Sequence, residues 1–78
     1  MEFLLVHFGG VRTVVIDGKP GGETNTILEL EKGHHSIRLQ GPPFDFTPSV
    51  VTIVLAGTTS LSPREVSFER LQQAAEKR

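Results

Sequence analysis

Residues 11–40 read VRTVVIDGKPGGETNTILELEKGHHSIRLQ and decide the fold class of this chain. Three short runs rich in Val, Ile and Leu are separated by two glycine-containing turns, Asp17-Gly18 and the tetrapeptide EKGH at 31–34. An Asp-Gly pair between apolar runs predicts a tight hairpin turn, because type I′ turns need positive φ at both central residues. The stretch therefore predicts a small antiparallel β unit.

The second half of that stretch alternates apolar and polar side chains in two runs, 26–31 and 35–40. Two runs with a period of two that are joined by a glycine turn are typical of a β-hairpin. We therefore predict that these two strands pair with each other. The residues expected to face the core are Leu28, Leu30, Ile37 and Leu39.

Further strands are predicted on both sides of the central stretch. The apolar run 2–8 suits a strand that is covered on both faces, and Val, Thr and Ile in residues 49–55 predict a central strand. Lys19-Pro20 predicts a short return strand at a sheet edge, since proline has no N–H to donate. Residues 21–25 are loop by composition, and a last short strand is expected at 58–61.

The C-terminal part of the sequence carries two competing signals. A capping-box pattern in SPRE, with proline at the first helical position, favours a helix. The alternation of Val66 and Phe68 with polar residues favours a strand instead. We predict a strand to about Phe68 and a short helix over 69–77. The expected division is a β domain, residues 1–68, and a helical tail, residues 69–78.

Composition narrows the classes of function. Seventy-eight residues allow one domain, and a chain without cysteine forms neither a disulfide framework nor a thiolate zinc site. The net charge of −1 comes from dispersed charges, whereas a nucleic-acid binder shows a clustered positive footprint. No run approaches the roughly 20 apolar residues of a membrane span, and no signal-peptide pattern is present. We expect no nucleic-acid partner and no membrane span.

Four segments together resemble the PEGA domain, a bacterial all-β module. LLVHFGGVRTVVIDGK (4–19) is similar to its opening strand and V-x-I-D-G strand end, and GGETNTILELEKGHHSIRL (21–39) is similar to its hairpin. GPPFDF (41–46) stands where the family has a Gly-aromatic loop, and VVTIVLAGTTSLS (50–62) resembles the ending. The chain departs from the family at Asn25, where a loop proline is usual, and it lacks the Pro-Glu-Gly-Ala string itself.

The resemblance implies an all-β fold, a small antiparallel β-sandwich of prealbumin-like or immunoglobulin-like character. It also implies a non-catalytic protein-interaction or assembly module of bacterial type, with a protein partner or self-association. The alternative is an accessory domain that binds glycan or cell-wall material through the Pro/Phe loop 41–48. The location would be cytoplasmic for a full-length chain and the envelope for an excised domain.

The sequence predicts no catalytic, cofactor or metal site. His34-His35, with His7 elsewhere, is the one candidate metal or acid–base cluster. Adjacent residues on a strand point to opposite faces, so the pair is poorly arranged to chelate one ion. The carboxylates are explained by a turn, as for Asp17, or by an exposed strand face. We therefore expect that the chain is not an enzyme.

The candidate partner-binding residues lie in the Pro-rich loop and the tail. Phe44 and Phe46 either form exposed anchors for a partner or cap the open end of a small sandwich. Leu71 either docks the predicted tail helix or packs against a second subunit. The full set of candidates is Pro43, Phe44, Phe46 and Leu71. The chain lacks Trp and Tyr, on which sugars usually stack, and this weakens the glycan alternative.

Overall fold

The computed structural model describes residues 1–71, which form nine β-strands and no helix. The predicted all-β class is therefore confirmed. The strands are β1 (Glu2–His7), β2 (Thr13–Ile16), β3 (Lys19–Glu23), β4 (Ile27–Leu30), β5 (Gly33–Leu39), β6 (Phe46–Thr47), β7 (Val51–Leu55), β8 (Arg64–Ser67) and β9 (Glu69–Arg70).

Two larger sheets and a short ribbon make up the fold. The strand orders are β4-β1-β8, β3-β2-β5-β7 and β6-β9. The two larger sheets bury side chains in one shared core, so the arrangement is sandwich-like. The core comprises Leu4, Val6, Phe8, Val14, Ile16, Leu28, Ile37, Leu39, Phe46, Ile53, Leu55, Val66 and Phe68.

The pairing of β1 with β8 corrects the prediction of a purely antiparallel fold. These two strands run parallel, with Leu4 opposite Arg64 and Val6 opposite Val66. Parallel neighbours need a long connection, at least about a dozen residues. The whole chain between β1 and β8 supplies it, including every strand of the four-stranded sheet. The local sequence of either strand gives no sign of this partner.

Alternation correctly predicted which side chains face the core. Ile37 and Leu39 are fully buried, Leu28 is buried and Leu30 packs partly against the core. Burying one such side chain contributes about 1.5–3 kcal/mol. The prediction that β1 is covered on both faces holds only in part: Leu4 and Val6 are fully buried, whereas the residues on the other face are partly exposed.

The predicted pairing of β4 with β5 is wrong. β4 pairs with β1, placing Leu28 opposite Leu4, and β5 pairs with β2 and β7, placing Ile37 opposite Ile16. The turn after β4 therefore carries the chain from one sheet to the other, and we call this connection the arch. Alternation determines which side chains point inward, but Leu28 and Ile37 reach the same core from opposite sheets. The pattern alone does not distinguish this arch from a hairpin.

The Asp17-Gly18 hairpin is confirmed. Both turn residues have positive φ, 54° and 86°, and the flanking β2 and β3 pair in an antiparallel manner. β3 lies at a sheet edge, as its proline predicts, but it extends to Glu23 through residues assigned to a loop. Gly22 explains why the strand continues where a loop was predicted, since a Cβ there would lie 2.4 Å from a methyl carbon of Leu28. Glycine lets the strand backbone pack directly on that side chain.

Two other strand predictions need correction. β7 was expected to be central, but it is an edge strand that contacts only β5 in its sheet. Its high β-propensity reflects burial of one face, where Ile53 and Leu55 lie in the core. The strand expected at 58–61 is absent from the described residues. There Thr58 instead bonds to the start of β1: its hydroxyl accepts from the Phe3 N–H at 2.7 Å.

The C-terminal prediction is confirmed in its first part and wrong in its second. Strand character extends through β8, and Phe68 is buried, with its N–H donating to the His7 carbonyl at 2.9 Å. The helix expected from residue 69 is replaced at its start by β9, which pairs with β6. Tertiary pairing there overrides a weak helix propensity. The rest of that predicted helix lies in residues 72–78, outside the described part of the chain.

Engineered cysteine pairs distinguish the arch from a hairpin. The structure places Phe3 opposite Glu29, within the roughly 7 Å Cα limit for a disulfide. We expect Phe3→Cys/Glu29→Cys to form a disulfide on mild oxidation and to gain about 2–4 kcal/mol in free energy of unfolding over its reduced form. The matched control is Glu29→Cys/Ser36→Cys, the pair that a β4–β5 hairpin with its turn at 31–34 would place opposite each other. Mass spectrometry should find the control reduced; a disulfide there would contradict the arch.

Candidate functional site

The structure gives the two loop phenylalanines different environments. Phe46 is buried and packs edge-on against Phe68, with ring centroids 5.9 Å apart. Phe44 is 67% exposed, and its ring centroid lies 6.4 Å from that of Phe46. Phe46 therefore caps the core, and Phe44 presents its ring to solvent. The capping interpretation therefore applies to Phe46, whereas the role of Phe44 as an anchor for a partner stays a prediction.

The ring of Phe44 lies against the backbone of its own loop. A Cβ placed on Gly41 would lie 2.5 Å from Cδ1 of Phe44, closer than any real contact. The absence of a side chain at Gly41 therefore lets the ring pack directly on the loop. The ring therefore contacts the backbone of its loop on one side, and most of its surface remains exposed to solvent.

Asp45 fixes the loop to the body of the protein. Its carboxylate accepts hydrogen bonds from Arg12 at 3.0 Å and from Arg70 at 2.7 Å. Arg12 also donates to the carbonyl oxygens of Gln40 and Pro43 at 3.2 and 3.1 Å. The loop is therefore tied to the residue before β2 and to β9 through one carboxylate.

Both guanidinium groups of this cluster also pack on an aromatic ring. The central carbons of Arg12 and Arg70 lie 5.3 and 4.8 Å from the ring centroid of Phe8, within cation–π range. The Asp45 side chain is 16% exposed. Burial opposes its ionisation, but the hydrogen bond from Arg12 and the charges of both arginines lower the pKa of Asp45 below its ordinary value. The carboxylate is thus held in its charged form.

Four exposed apolar residues flank members of this cluster along the chain. Pro43 and Phe44 precede Asp45 in the loop, Val11 precedes Arg12, and Leu71 follows Arg70. The Leu71 N–H also donates to the Asp45 carbonyl at 2.8 Å. We call Val11, Pro43, Phe44 and Leu71 the aromatic end. Sequence reasoning selected three of the four and missed Val11, which is 73% exposed.

The histidines have separate partners. His35 Nδ1 lies 2.7 Å from Asp17 Oδ2, and its Nε2 lies 2.6 Å from the Glu31 carbonyl oxygen. His7 Nε2 lies 2.8 Å from Glu65 Oε1. Among residues 1–71 no three His, Asp or Glu side chains converge as a metal site would require. His7 instead joins β1 to β8, and His35 joins β5 to the turns that contain Asp17 and Glu31.

His35 is arranged to be protonated. Both ring nitrogens face acceptors, so only the doubly protonated ring donates both hydrogen bonds. The Glu31 carbonyl and then the Asp17 carboxylate raise the pKa of His35 above its ordinary value. The Ser36 N–H, donating at 2.9 Å, and His35 lower the pKa of Asp17. The protonated ring thereby connects the β2–β3 turn to the arch after β4.

This arrangement predicts a pH-dependent stability. A raised folded-state pKa means that the contribution of His35 is complete below its unfolded value of about 6.5 and is lost as the pH rises through the folded value. The lowered pKa of Asp17 adds stability above about 3.8 that is lost in acid. The urea midpoint should therefore fall from pH 6 towards pH 9.

His35→Gln should flatten this alkaline decline, because the variant has no titrating ring at that position. His34→Gln is the matched control, since His34 is its exposed neighbour on the same strand, and it should leave the profile unchanged. If the control flattened the decline and His35→Gln did not, the assignment would be wrong.

Asp45→Asn should lower the melting temperature and speed proteolysis within residues 41–48. The amide still offers one acceptor, but it loses the charge that pairs with Arg12 and Arg70. Glu69→Gln serves as control, because it removes one carboxylate at an exposed position of β9. Equal proteolysis of both variants would show that Asp45 does not hold the loop.

The described residues contain no helix that is long and apolar enough to cross a membrane. No curated protein matches the chain significantly, and no solved structure does so either. A family model described as the PEGA domain matches residues 12–65. That range runs from the residue before β2 into β8 and covers well over half of the 78 residues. On this match the chain belongs to the PEGA domain family.

Proposed function

We propose that this chain is a non-catalytic accessory module that binds a protein partner through the aromatic end. Membership of the PEGA domain family supports the accessory role. The observation that carries the proposal is Phe44, a large aromatic side chain that is 67% exposed although its ring packs on the backbone of its loop.

A fixed exposed ring is well suited to binding. Ordering a mobile side chain and its loop costs free energy on association, and a preformed conformation avoids that cost. Asp45 holds the loop through Arg12 and Arg70, and the ring of Phe44 packs against Gly41. Aromatic side chains are also enriched among the residues that dominate binding energy. Phe44 therefore has the chemistry and the rigidity of an anchor.

The surroundings of Phe44 indicate the chemistry of the partner. The other members of the aromatic end are exposed and uncharged, as the centre of a protein interface is. The adjoining cluster contains two arginines and one aspartate, and Arg70 is half exposed. A suitable partner would offer an apolar pocket for the ring, with an acidic residue at its border.

A photo-crosslinking experiment tests this proposal. A photoreactive phenylalanine analogue at position 44 should form one discrete protein adduct in an extract of the source organism. An excess of the unlabelled parent should suppress that adduct, whereas Phe44→Ser should not. Leu61→Ser is the matched control, since Leu61 is 93% exposed outside the aromatic end, and it should compete as well as the parent. Competition by Phe44→Ser equal to that of the parent would refute the proposal.

The second candidate is an accessory domain that binds glycan or cell-wall material through loop 41–48. The same exposed ring supports it, because a flat apolar face can stack on a sugar ring. Sedimentation with purified peptidoglycan compares the parent with Phe44→Ser and Leu61→Ser. Co-sedimentation of the parent and Leu61→Ser but not of Phe44→Ser would favour this candidate over a protein partner.

Two finer expectations belong to the same proposal. One is that the sandwich-like core is of prealbumin-like or immunoglobulin-like type. The other is a bacterial setting, with an envelope location if the chain is an excised domain and a cytoplasmic one if it is full length. Membership of the family supports the accessory module. Fractionation of cells that express the full-length gene product is the direct test of its location.

A further inference from the structure

One edge of the four-stranded sheet is unpaired within the described chain. β7 pairs with β5 on one side, and it is the last strand in its sheet. Among residues 1–71, no other backbone hydrogen bond involves residues 50–56. The backbone groups of β7 that point away from β5 therefore form a row of donors and acceptors along the outer edge.

The other sheet edges carry features that discourage pairing with another strand. Proline, lysine, bulges and charged side chains are the usual protections of an edge. β3 contains Lys19 and Pro20 and has a bulge in its pairing with β2. β4 carries Glu29, and β8 carries two adjacent charged residues. β7, with the sequence VTIVL, has no charge, no proline and no bulge.

The side chains of β7 suit pairing with a copy of the same strand. An antiparallel pair centred on Ile53 would place Thr52 opposite Val54 of the second copy, and Val51 opposite Leu55. No charge meets a like charge in this register. Val54 is 52% exposed and Val50 is 47% exposed, so the outer face has β-branched side chains available for cross-strand contacts. Val51, Ile53 and Leu55 face the inner side, next to the core.

We propose that β7 is the pairing edge of a symmetric dimer of this chain. Two copies join their β7 strands in an antiparallel manner, and their four-stranded sheets become one continuous sheet. The same edge is used by both copies, so the assembly closes at two. The buried area of one strand pair is small, which gives a weak, concentration-dependent dimer. This surface is separate from the aromatic end and independent of the function proposed for it.

A charge-complementation experiment tests the dimer. Sedimentation equilibrium of the parent should show a rising mean mass up to millimolar concentration. Thr52→Lys/Val54→Lys should stay monomeric, because the proposed register places lysines of the two copies opposite each other. Thr52→Glu/Val54→Glu should stay monomeric for the same reason. An equimolar mixture of the two variants should recover association, since each lysine then faces a glutamate.

Two controls separate this edge from other causes. Ile27→Lys adds a charge to an exposed apolar position of another edge strand, β4, and should associate as the parent does. Phe44→Ser should also associate unchanged, so failure of the aromatic end and failure of the dimer are distinguishable. A parent that stays monomeric throughout would overturn the proposal. So would lysine and glutamate variants that dimerise separately, or a mixture that does not recover association.

Discussion

The fold depends on one core filled from two sheets. Within residues 1–71, neither the three-stranded nor the four-stranded sheet has a second layer of its own to cover its apolar face, and the chain has no cysteine for a disulfide. Leu4 in one sheet and Ile37 in the other are both fully buried in this core. A small domain buries a limited share of its surface, so every inward position of the short strands contributes to stability. This requirement explains why the inward positions of β4 and β7 are all apolar.

The sequence predicted the inward faces of β4 and β5 and the Asp17-Gly18 turn well, because both depend on nearby residues. Asp17-Gly18 permits the positive φ that its turn needs, and the period of two placed Ile37 in the core. Strand partners were predicted less well. Whether β5 pairs with β4 or with β2 depends on the three-dimensional path of the chain. Similarly, the start of the expected helix became β9, because β6 offered it a partner.

The aromatic end shows the same contrast between features set by nearby residues and features set by distant ones. Composition pointed to the Pro/Phe loop, but it did not separate buried Phe46 from exposed Phe44. The interaction that holds the loop joins Asp45 to Arg12 and Arg70, which are 33 and 25 residues away in sequence. No local motif marks such a cluster, and each of its members alone is an ordinary surface charge in the sequence. Its effect is visible only in three dimensions, where Asp45 binds both arginines and the arginines pack on Phe8.

The parallel pairing of β1 with β8 has a mechanical consequence. The chain enters this pair at Leu4 and leaves it at Ser67, at the opposite end of the two paired strands. Tension applied between these points would pull the strands along their length in opposite directions. All hydrogen bonds of the pair would then bear the load together instead of opening one after another. The geometry therefore resists stretching along the strand axis more than it resists peeling from one end.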